Sequence, residues 1–534
     1  MRNTASQDLP ARQCGIALLI LLAIISMAII FALVAGLNKN AGELARARDQ
    51  KTYAALAQAK AALIAYAVTY KDTHDNPASS TYYVPGYLPC PDSGTSTSEG
   101  VAASTCGSSL VSVMGRLPWK TLGLDALKDG SGECLWYAVS GTYKNSPNAV
   151  SGSTTNSNMM NWDTNGQFDV MDADGTSFLA GSTSDTNAVA VIFAPGAVLS
   201  GQSRTPATGT ANCGGNYTAA AYLETANGIN NSVVSGTANA SSTFIAGTAS
   251  DTFNDKLVYI TRADIWNAIE KRSDFNNYLR GMTRLAAECV AQYGQNNWNG
   301  SWDVRLPWAS NVSLSGTSVP TYAVDARYND ASGVLAGRLA YRVDNSASAT
   351  SNVLPWWYNS NSYIFNNNSY CSYSADQQVW YDNWKDQLFY AVAKNFQPST
   401  SSWNIGNCPT CLTINGSGNY AAVVIFASDK LTNAAGQVTQ PRSLATDKGS
   451  IANYLEGRNS TNYPNSGGNG NYQAATTSTT FNDIVYGIDS TLTVKCLSTG
   501  TGTMRTVPGA TVAPPGTGIS GAYYTDLANY ASCP

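Results

Sequence analysis

The stretch from Ile16 to Leu37, IALLILLAIISMAIIFALVAGL, constrains this chain more than any other feature, because it carries no charge over 22 residues. A helix of that length, rising 1.5 Å per residue, crosses a hydrocarbon core of about 30 Å. Fourteen of its residues are Leu, Ile, Val or Phe. On the insertion scale these sum to roughly −4 to −8 kcal/mol, so insertion needs no help. A secretory apolar region would be shorter, about 7 to 15 residues, and would end in a small-residue cleavage site. The run therefore reads as a retained membrane-inserting segment. Arg2 and Arg12 precede it and Lys39, Arg46, Arg48 and Lys51 come after it, so flanking charge sets no orientation.

The residues just before the run narrow the reading. A short polar leader with basic residues ends in Arg12-Gln13-Cys14-Gly15 and enters the apolar segment directly. It resembles the prepilin signal of type IV pilins and type II secretion pseudopilins. The resemblance implies processing by a prepilin peptidase between Gly15 and Ile16, with Ile16 as a methylated new terminus. It also implies a precursor in the bacterial inner membrane and a mature subunit in the periplasm or at the cell surface, packed among other pilins. One departure is informative. Most members of the family carry Glu at the fifth mature position, where it meets the terminal amine of a neighbouring subunit; here that position is Ile20. A subunit without the acid cannot dock beneath a predecessor, yet its own amine can still receive the next subunit's Glu. Ile20 thus permits the tip position of a filament.

Beyond Leu37 a helical pattern continues, with Tyr53, Leu56, Leu63, Ala67 and Tyr70 at three- and four-residue steps among Ala-rich helix formers. Asn76-Pro77 stops it. The remainder of the chain is internally repeated. Arg116-Leu117-Pro118-Trp119 recurs at Arg305 to Trp308, Leu135 to Val139 is matched by Leu388 to Val392, and Val189 to Ala194 by Ala422 to Ala427. Tyr222-Leu223-Glu224 answers Tyr454-Leu455-Glu456, and Phe253-Asn254-Asp255 answers Phe481-Asn482-Asp483. Thr261 and Asp264 form a capping-box start, and Tyr278, Met282, Leu285, Cys289 and Gln292 or Tyr293 supply a second helical stripe. RLPW reads as an extended turn whose Trp covers a sheet edge. Phe-Asn-Asp reads as a turn whose side chains bond their own backbone.

The expected fold is α+β: a long N-terminal hydrophobic helix of pilin-like stalk type, then a duplicated head of antiparallel β-sheets, each packed on a helix. The expected segments are a leader at 1–15, a stalk helix at 16–75, a first unit at 76–262, a second at 263–490 and a Cys-pinned tail at 491–534.

Composition agrees with export. Only 12% of residues are charged and the net charge is −4, so no positive field exists to hold nucleic acid. Removal of the leader, and Cys14 with it, leaves Cys90, Cys106, Cys134, Cys213, Cys289, Cys371, Cys408, Cys411, Cys496 and Cys533, an even set suited to disulfides in an oxidising compartment. Sequence proximity favours Cys90 with Cys106, Cys408 with Cys411 and Cys496 with Cys533. The lone histidine, His74, lies in a polar stretch and reads as an exposed loop residue. With one His and no nucleophile motif, a signal-anchored periplasmic enzyme is the weakest reading, and no catalytic residue is assigned. No cofactor is expected, apart from calcium at Asp169, Asp172 and Asp174, a donor set whose spacing misses the EF-hand pattern. Trp356 and Trp357, among Asn and Ser, are candidate contacts for a glycan or host surface in an alternative adhesin reading, against a plainer role in core or subunit packing.

Overall fold

The computed structural model describes residues 41–95, 98–147, 159–207, 209–296, 305–314, 322–343, 374–398, 408, 410–434, 437–463, 469–498, 502–507 and 533. It begins with helix α1, Ala41–His74, 34 residues long. Its core stripe is Ala55, Leu56, Ala59, Leu63, Ala67 and Tyr70, all buried. Tyr53, on the expected stripe, is instead 53% exposed, its ring under the Lys256 ammonium at 5.0 Å. His74 is not a loop residue. It closes α1, stacked on Tyr70 at 4.0 Å and with Nε2 3.2 Å from the Tyr66 hydroxyl.

The first sheet contains β1 Val113–Arg116, β2 Trp136–Val139, β3 Phe168–Met171, β4 Phe178–Ala180, β5 Ala188–Ala194, β8 Ser242–Ile245 and β9 Lys256–Thr261; β6 Thr225–Ala226 and β7 Ile229–Asn230 form a separate hairpin. Helices α2 Arg262–Ile269 and α3 Phe275–Asn296 lead to the second sheet. Its strands are β10 Ala336–Arg338, β11 Leu388–Val392, β12 Leu412–Ile414, β13 Ser417–Phe426, β14 Asn471–Tyr472, β15 Ile484–Asp489, β16 Val494–Leu497 and β17 Met504–Thr506. Helix α4, Ala375–Trp384, precedes β11.

Antiparallel pairing runs β1-β2-β5-β9 in one sheet and β10-β11-β13-β15 in the other. Each sheet also holds one parallel pair, β3 with β8 and β12 with β14. The expected fold class is therefore corrected on two points. Both sheets are mixed, so the structure is a mixed α and β fold, not a pair of antiparallel sheets. No helix among the described residues is long and apolar enough to cross a membrane; α1 is polar along its first turns, and Ile16 to Leu37 lies outside the described residues. The 491–534 tail also begins inside the second sheet, because β16 and β17 extend it.

Helix α1 packs on β9 and β5, and α3 packs on β15 and β13. The capping box of Thr261 and Asp264 starts α2, but the second stripe belongs to the separate helix α3, where Met282, Leu285, Cys289, Gln292 and Tyr293 are buried. Between the two helices, Arg272 donates to Asp72 at 2.6 Å and to Asp274 at 2.8 Å. Strands β5 and β13 sit centrally, and β5 is buried on both faces, which explains why its sequence, AVAVIFA, shows no polar alternation.

Ladder positions realign the repeat. Arg116 faces Trp136 and Arg338 faces Phe389 across the edge pair of each sheet, and they bridge to Asp92 and Ser310 respectively. The Tyr137 hydroxyl donates to the Pro89 carbonyl at 3.2 Å, and that of Tyr390 to Pro307 at 3.1 Å. The partner of Arg305-Leu306-Pro307-Trp308 is thus Tyr87-Leu88-Pro89-Cys90, and Arg116 to Trp119 answers Arg338-Leu339-Ala340-Tyr341. Identical tetrapeptides occupy different places, because a short string does not fix a ladder position. Likewise Tyr137 faces Ile192 and Tyr390 faces Val424, one residue off the match by letters, a slip that would exchange the two faces of the strand. Trp119 is a packing residue: it lies over Gly100, whose φ is +81° and where a Cβ would come 2.2 Å from the indole.

The two halves share one core. Residues 159–164 leave the first half and insert into the second, with Trp162 edge-on to Trp384 at 4.5 Å and to Phe426 at 5.8 Å. Met160 N donates to Asn383 Oδ1 at 2.7 Å. Trp162→Ala is expected to cost about 3–5 kcal/mol, the range for emptying a large buried aromatic site. A lowered urea midpoint at unchanged secondary structure would show it.

Candidate functional site

Beside Trp162 lies the densest group of buried charge in the described residues. Asp163 Oδ2 accepts from Gln387 Nε2 at 2.6 Å, and its backbone N–H donates to Asn161 Oδ1 at 2.8 Å. Lys430 stands 3.6 Å from Oδ1, while Lys448 at 3.6 Å and Arg442 at 3.9 Å face Oδ2. Lys430 also pairs with Asp185, and Lys448 donates to Asp386 at 2.6 Å. Burial alone would raise the Asp163 carboxyl, but Lys430, Arg442, Lys448 and Arg262 outweigh it and hold the group below the usual carboxylate range. Burial would lower Lys448, and Asp386 chiefly reverses this and raises it. The carboxylate and its cations thus balance one another while almost fully buried.

A cleft of about 460 Å³ opens above them, lined by Asn161, Asp163, Asn165, Gln167, Ser443 and Lys448 among others. Most of its polar groups already serve the fold. Gln167 Oε1 accepts from Ser112 Oγ and Gly141 N, and Asn161 Nδ2 donates to the Asn383 carbonyl. Several of the polar groups that line the cleft tie the two halves together, as Asn161 does to Asn383 and Asp163 to Gln387.

A second constellation occurs twice. In the first half, Gln202 Nε2 donates to Glu224 Oε1 at 2.5 Å, Glu224 Oε2 accepts from Asn254 N at 2.9 Å, and Asp255 Oδ2 accepts from Glu224 N and Asn231 Nδ2. In the second half, Gln440 donates to Glu456 at 2.8 Å, Asn482 N to Glu456 Oε2 at 3.1 Å, and Glu456 N and Asn459 Nδ2 to Asp483 Oδ2. Arg204 and Arg442 lie over the rings of Tyr222 and Tyr454 at 4.6 and 4.4 Å. Phe-Asn-Asp is therefore not a self-bonded turn; it clasps the Tyr-Leu-Glu segment. Sequence reading found Tyr-Leu-Glu and Phe-Asn-Asp but missed Gln-x-Arg and the Asn, whose signal was their repetition at the same place in each half. Asp255 and Asp483 are raised well above the carboxylate range, first by burial and then by the neighbouring Glu224 or Glu456. Two carboxyl groups sharing one dry site cannot both ionise, so each Asp keeps its proton and offers it to the Glu.

The residues singled out from sequence do not converge. Gly15, Ile16, Ile20, Cys371, Trp356 and Trp357 lie outside the described residues. Cys90–Cys106, Cys408–Cys411 and Cys496–Cys533 are bonded, and so are Cys134–Cys213, which proximity did not suggest. Cys289 is disulfide-bonded as well. Asp174 accepts from Thr176 N, Ser177 N and Ser177 Oγ, and Asp169 accepts from Asn187 Nδ2. Asp174 thus shapes the β3–β4 turn, Asp172 accepts from Ala173 N within it, and Asp169 ties β3 to the residue before β5; among the described residues no three His, Cys, Asp or Glu side chains gather as a metal set. No family model, curated protein or solved structure matches the chain.

The paired acids set a pH dependence. Because Asp255 and Asp483 have folded values above the unfolded value of about 4, their stabilisation is complete below that pH and is lost as pH rises through the raised values. The urea midpoint is expected to fall from weakly acidic to alkaline pH. Asp255→Asn with Asp483→Asn supplies the same donor without the proton and should flatten that fall.

Proposed function

We propose that this chain is a structural subunit of an extracellular filament of the type IV pilus or type II secretion kind, processed at Gly15 and carried at the filament tip. The apolar run Ile16 to Leu37 is its assembly surface, and the disulfide-bonded, two-sheet remainder is the part displayed. Packing between apolar segments within lipid gains nothing from hydrophobicity alone, so shape fit would select partners. Ile20, in place of the family's acid, suits the position that has no predecessor. The inner membrane holds the precursor, a prepilin peptidase matures it, and other pilins or pseudopilins are its partners.

One observation carries this reading. The apolar run ends at Leu37, and in the described part of α1 Glu43 to Arg46 and Arg48 to Lys51 are exposed, and burial starts at Thr52. The helix therefore packs on the sheet only along its later turns and leaves the end next to the apolar run free of the core. Seven disulfide-bonded positions outside the Cys408–Cys411 pair, five from Cys90 to Cys289 and then Cys496 and Cys533, add to the support, since such bonds persist in an oxidising compartment.

N-terminal sequencing of the protein from its own membrane is expected to start at Ile16. Gly15→Asp should leave a chain that begins at Met1 and stays in the membrane fraction. A native protein that begins at Met1, or past Leu37, would overturn the reading.

A further inference from the structure

Lys430 and Lys448 are buried within the Asp163 group, where several cations gather, whereas the buried Lys385 lies in a group of its own. It comes directly after α4 and pairs with Asp325 of the short 3-10 helix Asp325–Arg327; their side chains are 2% and 5% exposed. Asp382, one turn earlier on α4 and 9% exposed, is close enough for the charges of Lys385 and Asp325 to act on its carboxyl. Its Oδ1 accepts from Gln378 Nε2 at 2.7 Å, while Asp382 Oδ2 and Asp325 Oδ2 are buried without a hydrogen-bond partner. Aromatic rings wall the site. Tyr341 and Tyr381 stack at 5.6 Å, and the fully buried Tyr328 donates its backbone N–H to the Asp325 carbonyl at 2.9 Å and its hydroxyl to the Tyr322 carbonyl at 2.6 Å.

The protonation states favour chemistry between these groups. Burial raises the Asp382 carboxyl to about 7, Lys385 opposing and Asp325 adding to the shift. Burial also raises Asp325, against the pull of Lys385. In a dry site a proton passing from the ammonium to Asp325 yields a neutral amine beside a neutral acid, a state that water would disfavour. Fixed contact of the two groups replaces a bimolecular encounter and is equivalent to a very high local concentration. The Lys448–Asp386 pair differs, since Asp386 and Asp163 outweigh burial and raise Lys448, so its ammonium holds its proton.

We propose that Lys385 and Asp325 become joined by an intramolecular isopeptide bond after folding, with Asp382 as the proton relay. The Lys385 Nζ lone pair attacks Asp325 Cγ and a C–N bond forms. The Asp382 carboxyl protonates the departing Asp325 oxygen as the C–O bond breaks, and its carboxylate recovers a proton from the nitrogen. One water leaves, Asp382 ends as it began, and no oxidant or other co-reactant is required. The bond closes a loop of sequence separation 60 across β10, tying α4 to the segment that carries Tyr322 and Tyr328. A covalent tie there would hold the second half together under tension, whether or not the chain belongs to a filament.

Intact mass of the full-length protein, denatured and with disulfides reduced, is expected to be lower by one water than its sequenced N-terminus requires. Digestion should release a branched peptide joining the fragments that contain Asp325 and Lys385. Asp382→Asn, which keeps both bond partners, should restore the full mass while circular dichroism stays unchanged. A wild-type protein of full mass, or a lost water that maps to any other residues, would overturn the proposal, and the wild-type measurement decides even if Lys385→Arg fails to fold.

Discussion

The structure depends on keeping Asp163 ionised although it is almost fully buried. A carboxylate so deeply buried is tolerable only when cations and donors surround it, and removing one partner would strand the rest. Lys430, Arg442 and Lys448 all come from the second half, whereas Asp163 rides on the segment that the first half inserts. The charge group is therefore also the joint. Trp162, the residue just before Asp163 in the chain, adds an apolar anchor against Trp384 and Phe426. Buried charge restricts where the inserted segment can sit, and the aromatic contact adds apolar burial at the same place.

The duplicated clasp shows how one local device serves two ends. In the first half Arg204 stacks on Tyr222 and reaches Glu133 at 3.1 Å. In the second, Arg442 keeps the same stacking on Tyr454 but turns a guanidinium nitrogen to Gln387 at 3.0 Å and toward Asp163. The second copy thus ties its own sheet and also completes the joint. The protonated Asp in each clasp and the ionised Asp163 between them lie at opposite extremes of carboxyl behaviour, a contrast set by neighbours: a second acid in one case, several cations in the other.

Helix α1 is where the filament reading and the fold meet. Its later turns cover β5 and β9 as α3 covers β13 and β15, so each sheet uses one helix to bury one face. The described first turns of α1 are exposed, and its packing on the sheet begins at Thr52.

Sequence by itself determined the period-based features: the apolar run, the stripe of Leu56, Leu63, Ala67 and Tyr70, the capping box at Thr261, the continuous apolar strands and the existence of a repeat. Each rests on residues within a few positions of one another, where helix and strand geometry act directly. Tertiary structure alone decided which Arg answers which, because Arg116 and Arg338 are equivalent through cross-strand partners, not through neighbouring letters. It also decided the parallel pairs, the Cys134–Cys213 bond, the insertion of Trp162 and the gathering of Asp163, Lys430, Arg442 and Lys448 over a sequence span of more than 250 residues. Local pattern records the cost of exposing an apolar face, but the cost of burying a charge is settled only by what the distant chain brings to meet it.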